Sequence, residues 1–159
     1  MTEVVNVFAA EAGYDEGDPP GYHTGYLRLR PLLGAVQLGA TIYELATGQS
    51  ICPYHYEYGN KEWLIVLEGR PLLRTHEGER ELERGDVVCF REGPEGAHKV
   101  GNRGEATARV LMLSTQRDPD VSVYPDSDKI GVFPGNDTDR LILPRGAAVD
   151  YWVGEVGET

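Results

Sequence analysis

The sequence predicts an all-β protein, either a barrel or a sandwich, because of how its turn residues are distributed. Its 20 Gly and 10 Pro fall between short runs rather than inside long periodic ones. Turn signals return roughly every 8 to 12 residues, and no stretch has a convincing helical period. Short strands joined by tight turns account for this pattern better than helices do.

The predicted strands follow one another between these turns. They cover residues 38–45, 62–67, 71–75, 86–90, 98–100 and 106–114. Gly59-Asn60 predicts a hairpin between residues 54–58 and 62–67, since Gly and Asn accept the positive φ angles of tight turns. Glu77-Gly78-Glu79 predicts a second hairpin, and Arg84-Gly85-Asp86 predicts a turn into the strand at 87–90.

The length of the chain predicts a single domain over residues 1–159. A chain of 159 residues closes one hydrophobic core and is too short for two. We place the core barrel at about residues 36–115, where the strand pattern is regular. The less regular segments before residue 35 and after residue 115 are expected to wrap the barrel as extra strands.

The charge balance excludes several classes of partner. The formal net charge is −11, with 26 acidic and 15 basic residues and no basic run, so nucleic acids and anionic membrane surfaces are poor partners. No stretch approaches the roughly 20 apolar residues needed to cross a bilayer, and no secretory signal is visible. Two cysteines, Cys52 and Cys89, provide no disulfide framework and are expected to be small apolar strand residues, which fits the cytoplasm.

The strand at 62–67 predicts a homodimer. Its side chains alternate between two faces, and both faces are apolar apart from Glu62. A strand that is apolar on both sides must be covered on both sides. The barrel interior covers one face, so the other needs the flanking segments or a second subunit.

Four titratable residues are candidate site residues: His55, Glu57, Glu62 and His98. His55 and Glu57 are two positions apart, so on a strand both side chains project from the same face. The predicted Gly59-Asn60 hairpin would bring Glu62 opposite this pair, where cross-strand neighbours lie about 5 Å apart. With His98 from a later strand, two imidazoles and one or two carboxylates would suit a divalent transition metal.

These residues fall in two segments that resemble the paired motifs of the cupin superfamily. The first motif is matched at Gly48, His55, Glu57, Glu62 and Gly69. The second is matched at Gly85, Pro94, Gly96, His98 and Asn102. The resemblance covers residues 38–114. It departs from the family pattern at Glu57, where a second His is usual, and in the lengths of three spacers.

The resemblance implies a double-stranded β-helix, or jelly-roll, barrel that holds one divalent metal ion, with Fe, Mn, Zn and Ni as candidates. If Glu57 binds the metal, the family's three-His, one-Glu set becomes His55, Glu57, Glu62 and His98, and harder ions such as Mn or Fe(II) are favoured over Zn. If Glu57 does not bind, the other three form the two-His, one-carboxylate set of non-haem iron oxygenases. Glu57 is then free to act as a catalytic general base.

The function expected from this resemblance is that of a metal-dependent enzyme acting on a small organic molecule in the barrel. Cupins with this kind of site include dioxygenases, decarboxylases and isomerases, so dioxygenase-type chemistry and sugar isomerase or epimerase chemistry both stay open. The alternative is a non-catalytic module that binds or senses a small molecule or sugar. No helix-turn-helix pattern is present, which argues against a stand-alone transcription factor.

Overall fold

Antiparallel strands carry the fold of the computed structural model, which describes residues 2–157. The strands are β1 (Gly13–Tyr14), β2 (Gly25–Arg28), β3 (Leu38–Leu45), β4 (Tyr56–Glu57), β5 (Glu62–Glu68), β6 (Leu72–Thr75), β7 (Gly78–Glu81), β8 (Val87–Phe90), β9 (His98–Gly101), β10 (Ala108–Thr115), β11 (Asp120–Tyr124), β12 (Lys129–Phe133) and β13 (Leu141–Pro144). The helical elements are α1 (Arg30–Leu33) and 3₁₀ turns at Pro94–Gly96, Pro125–Ser127 and Arg145–Ala147. The all-β prediction is confirmed.

No helical segment within residues 2–157 is long and apolar enough to cross a membrane.

The strands form three sheets. The largest has the order β1-β2-β3-β10-β5-β8, and the other two have the orders β13-β12-β11-β4 and β7-β6-β9. An isolated bridge between His55 and His98 joins the two smaller sheets, because His55 directly precedes β4 and His98 begins β9. The junction of these sheets therefore carries two of the four candidate site residues.

The segments that flank the predicted core extend the sheets, as expected. β1 and β2 add to the edge of the largest sheet beside β3, while β11, β12 and β13 continue the sheet that begins at β4. The N-terminal segment is fixed to β10 by Arg109, whose Nε donates to the Val7 carbonyl at 3.0 Å. Arg109 also pairs with Glu44 and is only 7% exposed, so this charge is both buried and paired.

The core lies between the largest sheet and the two smaller ones. Its main cluster combines apolar side chains from both walls: Leu45, Leu64, Val66, Leu73, Leu82, Phe90, Val100, Val110 and Met112. Full burial of each large side chain of this kind stabilises the fold by about 1.5 to 3 kcal/mol. This cluster supports the strands that carry the candidate site.

The second predicted hairpin forms, but its turn lies earlier than predicted. β6 and β7 pair with Thr75 opposite Gly78, so the turn residues are His76 and Glu77, while Gly78 and Glu79 belong to β7. The third predicted turn is confirmed. A turn over Arg84 and Gly85 leads into β8.

The predicted Gly59-Asn60 hairpin is wrong, because β4 pairs with β11 and β5 pairs with β8 and β10. The Asn60 side chain binds the chain beyond β10: its Oδ1 accepts from the Arg117 backbone at 2.9 Å, and its Nδ2 donates to the Arg117 carbonyl at 3.2 Å. These bonds, with that from the Gly59 amide to Asp120 Oδ1 at 2.8 Å, carry the chain from one sheet to the other.

The outer face of β5 is only partly covered. Leu64 and Val66 point into the core, whereas Trp63 on the opposite face is 50% exposed. The homodimer predicted from this strand stays a prediction.

Candidate metal centre

Three of the four candidate residues converge from three different elements. His55 and His98 face each other across the isolated bridge, where His55 N donates to His98 O at 3.1 Å and His98 N donates to His55 O at 2.8 Å. Glu62 begins β5 in the opposite wall. Backbone pairing fixes the two histidines relative to one another, and the packing of the two walls brings the carboxylate to them.

The side-chain donors of these three residues point at one another. Glu62 Oε2 lies 3.3 Å from His98 Nε2 and 4.0 Å from His55 Nε2. One ligand atom from each residue lies within 4.8 Å of the other two. Two donors bound to one ion at about 2.0 to 2.2 Å each lie no more than about 4.4 Å apart, so both measured distances fit a shared ion.

Both imidazole rings are oriented in the same way, by a backbone carbonyl that lies against Nδ1. His55 Nδ1 lies 3.0 Å from the Pro53 carbonyl, and His98 Nδ1 lies 2.9 Å from the Gly96 carbonyl. A carbonyl only accepts hydrogen bonds, so each Nδ1 carries a proton, and Nε2 is the nitrogen of each ring that faces Glu62 and would bind a metal. A backbone carbonyl on the far nitrogen is the usual support of a metal-binding histidine.

Aromatic rings hold the imidazoles in place. Phe90 stacks on His98 with the ring centroids 3.6 Å apart and the planes 6° from parallel. Tyr124 lies against His55 at 5.9 Å and 21°. These rings restrict both histidine rotamers, so little side-chain freedom remains to be lost on ligand binding.

The surroundings keep His55 neutral. His55 is 8% exposed and His98 is 3% exposed. Burial lowers the pKa of His55, and the neighbouring His98 lowers it further. Since a metal binds neutral imidazole, the apolar setting prepares His55 for ligation at neutral pH.

Gly96 allows the loop before His98 to take its path. A Cβ built on Gly96 would lie 1.7 Å from the Arg91 carbonyl oxygen, which no side chain tolerates. The loop can close against Arg91 only because this residue lacks a side chain. In that position the Gly96 carbonyl reaches the His98 ring.

Glu57 lies outside the group of three and has a different partner. Its neighbour is Asp120, which is only 6% exposed. Burial, followed by the negative charges of Glu62 and Asp120, raises the pKa of Glu57 to about 8. A carboxyl with this pKa takes up and releases a proton near neutral pH, as a general acid or base must.

Sequence reasoning missed three residues of this site. Asp120 and Tyr124 come from β11, in the segment that we expected only to wrap the barrel, and Phe90 ends β8. Phe90 resembles any other apolar strand residue in the sequence. Asp120 lies in a polar stretch with no motif, so only the pairing of β11 with β4 reveals its role.

The group of His55, Glu62 and His98 could hold a metal ion, and its chemistry fits one. Two neutral imidazoles and one carboxylate suit the divalent ions of the first transition series. Their arrangement leaves the side away from the three donors for other ligands. It does not distinguish Fe, Mn, Zn and Ni.

Comparison with known proteins finds a cupin domain in this chain. Residues 41–114 match the profile of the cupin domain. The tetracenomycin polyketide synthase protein TcmJ of Streptomyces glaucescens is 32% identical over 88 residues, which are 52% of this chain. The alignment spans 57% of the length of TcmJ, so little more than half of that relative is matched.

Solved structures share the fold at lower identity. A protein from Acidithiobacillus ferrooxidans, provisionally assigned as a sugar phosphate isomerase, superposes with a TM-score of 0.80 at 21% identity over 91% of both chains. A sugar phosphate isomerase of the cupin superfamily from Silicibacter pomeroyi gives 0.78 at 22% over 91% of this chain and 94% of its own. The polyketide cyclase RemF of Streptomyces resistomycificus gives 0.59 at 23% over 76% and 84%. The predicted jelly-roll barrel with flanking strands is confirmed. The predicted relationship to cupins is confirmed as well, since residues 41–114 match the cupin domain.

Proposed function

We propose that the protein is a metal-dependent enzyme that moves protons on a small carbonyl or hydroxyl compound, in isomerase-type chemistry. The observation that carries this proposal is Glu57, which follows His55 by two residues on the same strand segment and lies near Glu62 and Asp120, with its pKa raised to about 8. A ligand set alone is compatible with many reactions. A carboxyl beside it that exchanges a proton near neutral pH favours the reactions that need an acid or a base.

In this proposal the three donors position the substrate and Glu57 transfers the proton. A divalent ion bound by His55, Glu62 and His98 would polarise a carbonyl or hydroxyl oxygen of the substrate. Glu57 then accepts a proton from the neighbouring carbon and returns one to the next carbon. Asp120 holds the Glu57 carboxyl in place, and its own hydrogen bond from the Gly59 amide keeps it from turning away.

The names of the structural neighbours are compatible with this proposal. They include sugar phosphate isomerases and a polyketide cyclase. Isomerisation and cyclisation of carbonyl compounds both require protons to be moved next to a carbonyl. We propose only this common proton-transfer step for the protein, and we propose neither a sugar phosphate nor a polyketide as its substrate.

Exchange of substrate protons with solvent tests the proposal without knowledge of the product. The metal-loaded protein is incubated in D₂O with a panel of hydroxyketones, enols and sugars, and deuterium incorporation is followed by NMR. We expect the wild type to label at least one compound next to its carbonyl. Glu57→Gln should not label it, and Glu68→Gln, an exposed carboxylate on β5, should act as the wild type does. No exchange with any compound, or equal exchange by Glu57→Gln, would contradict the proposal.

Oxygenation is a second candidate, favoured by the same group of three. Two histidines and one carboxylate are the ligand set of non-haem iron(II) oxygenases. An oxygen electrode with the Fe(II)-loaded protein and the same panel separates the two candidates. Oxygen uptake that survives Glu57→Gln would favour oxygenation over proton transfer.

A further inference from the structure

The segment at residues 149–156, beyond β13, exposes apolar side chains that the rest of the described chain does not cover. We call this segment the apolar arm. Five of its side chains are 61 to 92% exposed: Val149, Tyr151, Trp152, Val153 and Val156. Single exposed apolar residues are normal on a protein surface, but a contiguous group of them marks a site of interaction.

The arm has a defined shape within the single chain. The Trp152 amide donates to Asp150 Oδ1 at 3.1 Å, and the Val153 amide donates to the Asp150 carbonyl at 3.1 Å, so the arm closes a turn. The rings of Tyr151 and Trp152 pack edge to face, with their centroids 4.7 Å apart. Because the turn is already formed, docking of the arm would order few additional groups, and this lowers the entropic cost of binding.

The outer surface of β5 and β8 is a second exposed apolar surface. The two strands pair in a register that places Trp63 opposite Cys89 and Ile65 opposite Val87. Trp63 is 50% exposed, and Val87 and Cys89 are exposed as well. These four side chains form one patch, which we call the β5–β8 face. Residues 2–157 leave much of this face in contact with solvent.

The charges beside this face and on the arm are complementary. Lys61 directly precedes β5 and Arg91 directly follows β8, so both lie at one end of the strand pair, on the side of Trp63 by strand alternation. The arm carries Asp150 and Glu155. None of these four charges forms an ion pair within residues 2–157. Opposite charges on two surfaces guide their association and fix their register.

Two copies of the chain can satisfy both surfaces at once. An arm of each copy on the face of the other makes an isologous contact that closes at two chains. Two arms bring four aromatic side chains, each of which buries about 150 to 250 Å². With a similar area lost from the two faces, the contact reaches the roughly 1,200 to 2,000 Å² of a stable interface. The net charge of −11 makes an anionic lipid surface a poor alternative occupant.

We propose that the apolar arm of each chain docks on the β5–β8 face of a second copy, so that the two chains exchange arms in a homodimer. The inference goes beyond the proposed function and does not depend on it. The sequence predicted only that the outer face of β5 needs cover. The structure supplies a candidate for that cover, with matching apolar surface and opposite charge.

Sedimentation of the full chain in the analytical ultracentrifuge tests the proposal. The wild type should sediment at twice the chain mass of 17.5 kDa at micromolar concentration. Tyr151→Ser/Trp152→Ser, in the arm, should raise the dissociation constant of the dimer by at least about 100-fold, because two aromatic anchors are lost. Trp63→Ser, in the face, should change it in the same direction. Tyr14→Ser, on β1 and outside both surfaces, replaces an aromatic residue that is 51% exposed and should stay dimeric.

Two results of this experiment would overturn the proposal. A monomeric wild type would show that the arm docks on its own chain or stays uncovered. A dimer that withstands the substitutions in the arm would place the interface elsewhere on the chain.

Charge reversal tests the pairing of arm and face without changing an aromatic residue. Lys61→Glu/Arg91→Glu places acids against the acids of the arm and should weaken the dimer by at least about tenfold. Glu155→Lys, which leaves the Asp150 turn intact, should then restore at least about threefold when it is added to the same chain. Recovery requires that the arm meets this end of the face, so an unchanged or weaker dimer after the third substitution would overturn the proposal.

Discussion

The two imidazoles and the two glutamates of the centre are held in opposite ways. Each imidazole is fixed twice, by a carbonyl on Nδ1 and by an aromatic ring against its face. Glu62 meets those imidazoles directly, at 3.3 and 4.0 Å. Glu57 lies beside Asp120 instead, and burial with the neighbouring negative charges raises its pKa to about 8. One side of the centre therefore offers lone pairs, and the other offers a carboxyl that exchanges a proton near neutral pH.

This difference explains how one short segment, His55-x-Glu57, serves two purposes. Strand geometry sends both side chains to the same face. Their neighbours then decide what each does, because His55 meets another imidazole and Glu57 meets another carboxyl. In the proposed function these four residues therefore act as three metal ligands and one proton carrier rather than as one ligand set.

Replacement of Glu57 by Gln should distinguish proton transfer from metal binding most clearly. The amide keeps the size of the side chain and its capacity for hydrogen bonds but cannot take up a proton. We expect turnover to fall by about 10² to 10⁴-fold, the usual contribution of a general base, with metal content unchanged. Steady-state rates and elemental analysis of the same preparation check this.

The two hypotheses for Glu57, as a general base or as a metal ligand, predict opposite results in that experiment. If Glu57 were a ligand, the variant would lose metal or change its preference among Mn, Fe and Zn. Glu95→Gln, an exposed carboxylate in the 3₁₀ turn at Pro94–Gly96, is the matched control and should change neither quantity.

Replacement of Phe90, whose ring stacks on His98, should weaken metal binding alone. Phe90→Leu keeps an apolar side chain in the core but loses the flat contact at 3.6 Å. We expect metal affinity to fall by about 10- to 100-fold, as for other groups that orient a ligand. Isothermal titration with Zn²⁺ measures it. An affinity equal to that of the wild type would show that the backbone alone orients the ring.

The raised pKa of Glu57 should make the free energy of unfolding of the metal-free protein depend on pH. The pKa of Glu57 is raised to about 8 in the folded protein, from about 4.3 in an unfolded chain. The unfolded state then loses its proton first as pH rises, so without metal this residue makes the fold progressively less stable between about pH 4.3 and 8. The difference in free energy of unfolding between wild type and Glu57→Gln, measured in chelator across this range, isolates the effect. A difference that is independent of pH would contradict it.

Metal binding by His55, Glu62 and His98 should show the opposite dependence on pH and strengthen as the pH rises. Protonation of the imidazoles prevents ligation, so metal affinity should fall as pH drops. Because burial lowers the pKa of His55, the fall should be centred below about pH 6.5. Competition with a chromophoric chelator between pH 5 and 8 measures it, and a midpoint above 7 would be inconsistent with a buried, neutral His55.

The outer face of β5 should have the smallest influence on the centre. If the chain is a homodimer through this face, light scattering will give twice the chain mass, and Trp63→Ser will give a monomer. Trp63 points away from the core and is 50% exposed, so metal content should stay the same. A monomeric wild type at micromolar concentration would remove the predicted dimer.

The sequence predicted the fold class, and it singled out three residues that the structure brings together, but it did not show how they approach one another. His55, Glu62 and His98 lie in motifs whose spacing is visible in the chain. We predicted their approach through a hairpin at Gly59-Asn60, whereas Asn60 instead binds Arg117 and carries the chain between sheets. Gly and Asn tolerate positive φ, but neither Gly59 nor Asn60 adopts it here. Turn residues also do not indicate which strand the chain pairs with next.

The position of Asp120 beside Glu57 could not be predicted from the sequence, because it depends on the pairing of two strands that lie far apart in the chain. Asp120 lies 63 positions beyond Glu57 and meets it only because β11 pairs with β4. No local pattern marks such a contact. The raised pKa of Glu57 also comes from burial and from neighbouring charges, which are properties of the folded chain.

Metal content is the most direct test of the centre itself. Protein prepared without chelator should contain about one divalent ion per chain by elemental analysis. The His55→Ala/His98→Ala double variant should contain less than about a tenth of that amount while keeping its far-ultraviolet circular dichroism. The matched His23→Ala/His76→Ala variant replaces the other two histidines, both exposed, and should keep the metal. Equal metal content in the two double variants would contradict the assignment of the centre to His55, Glu62 and His98.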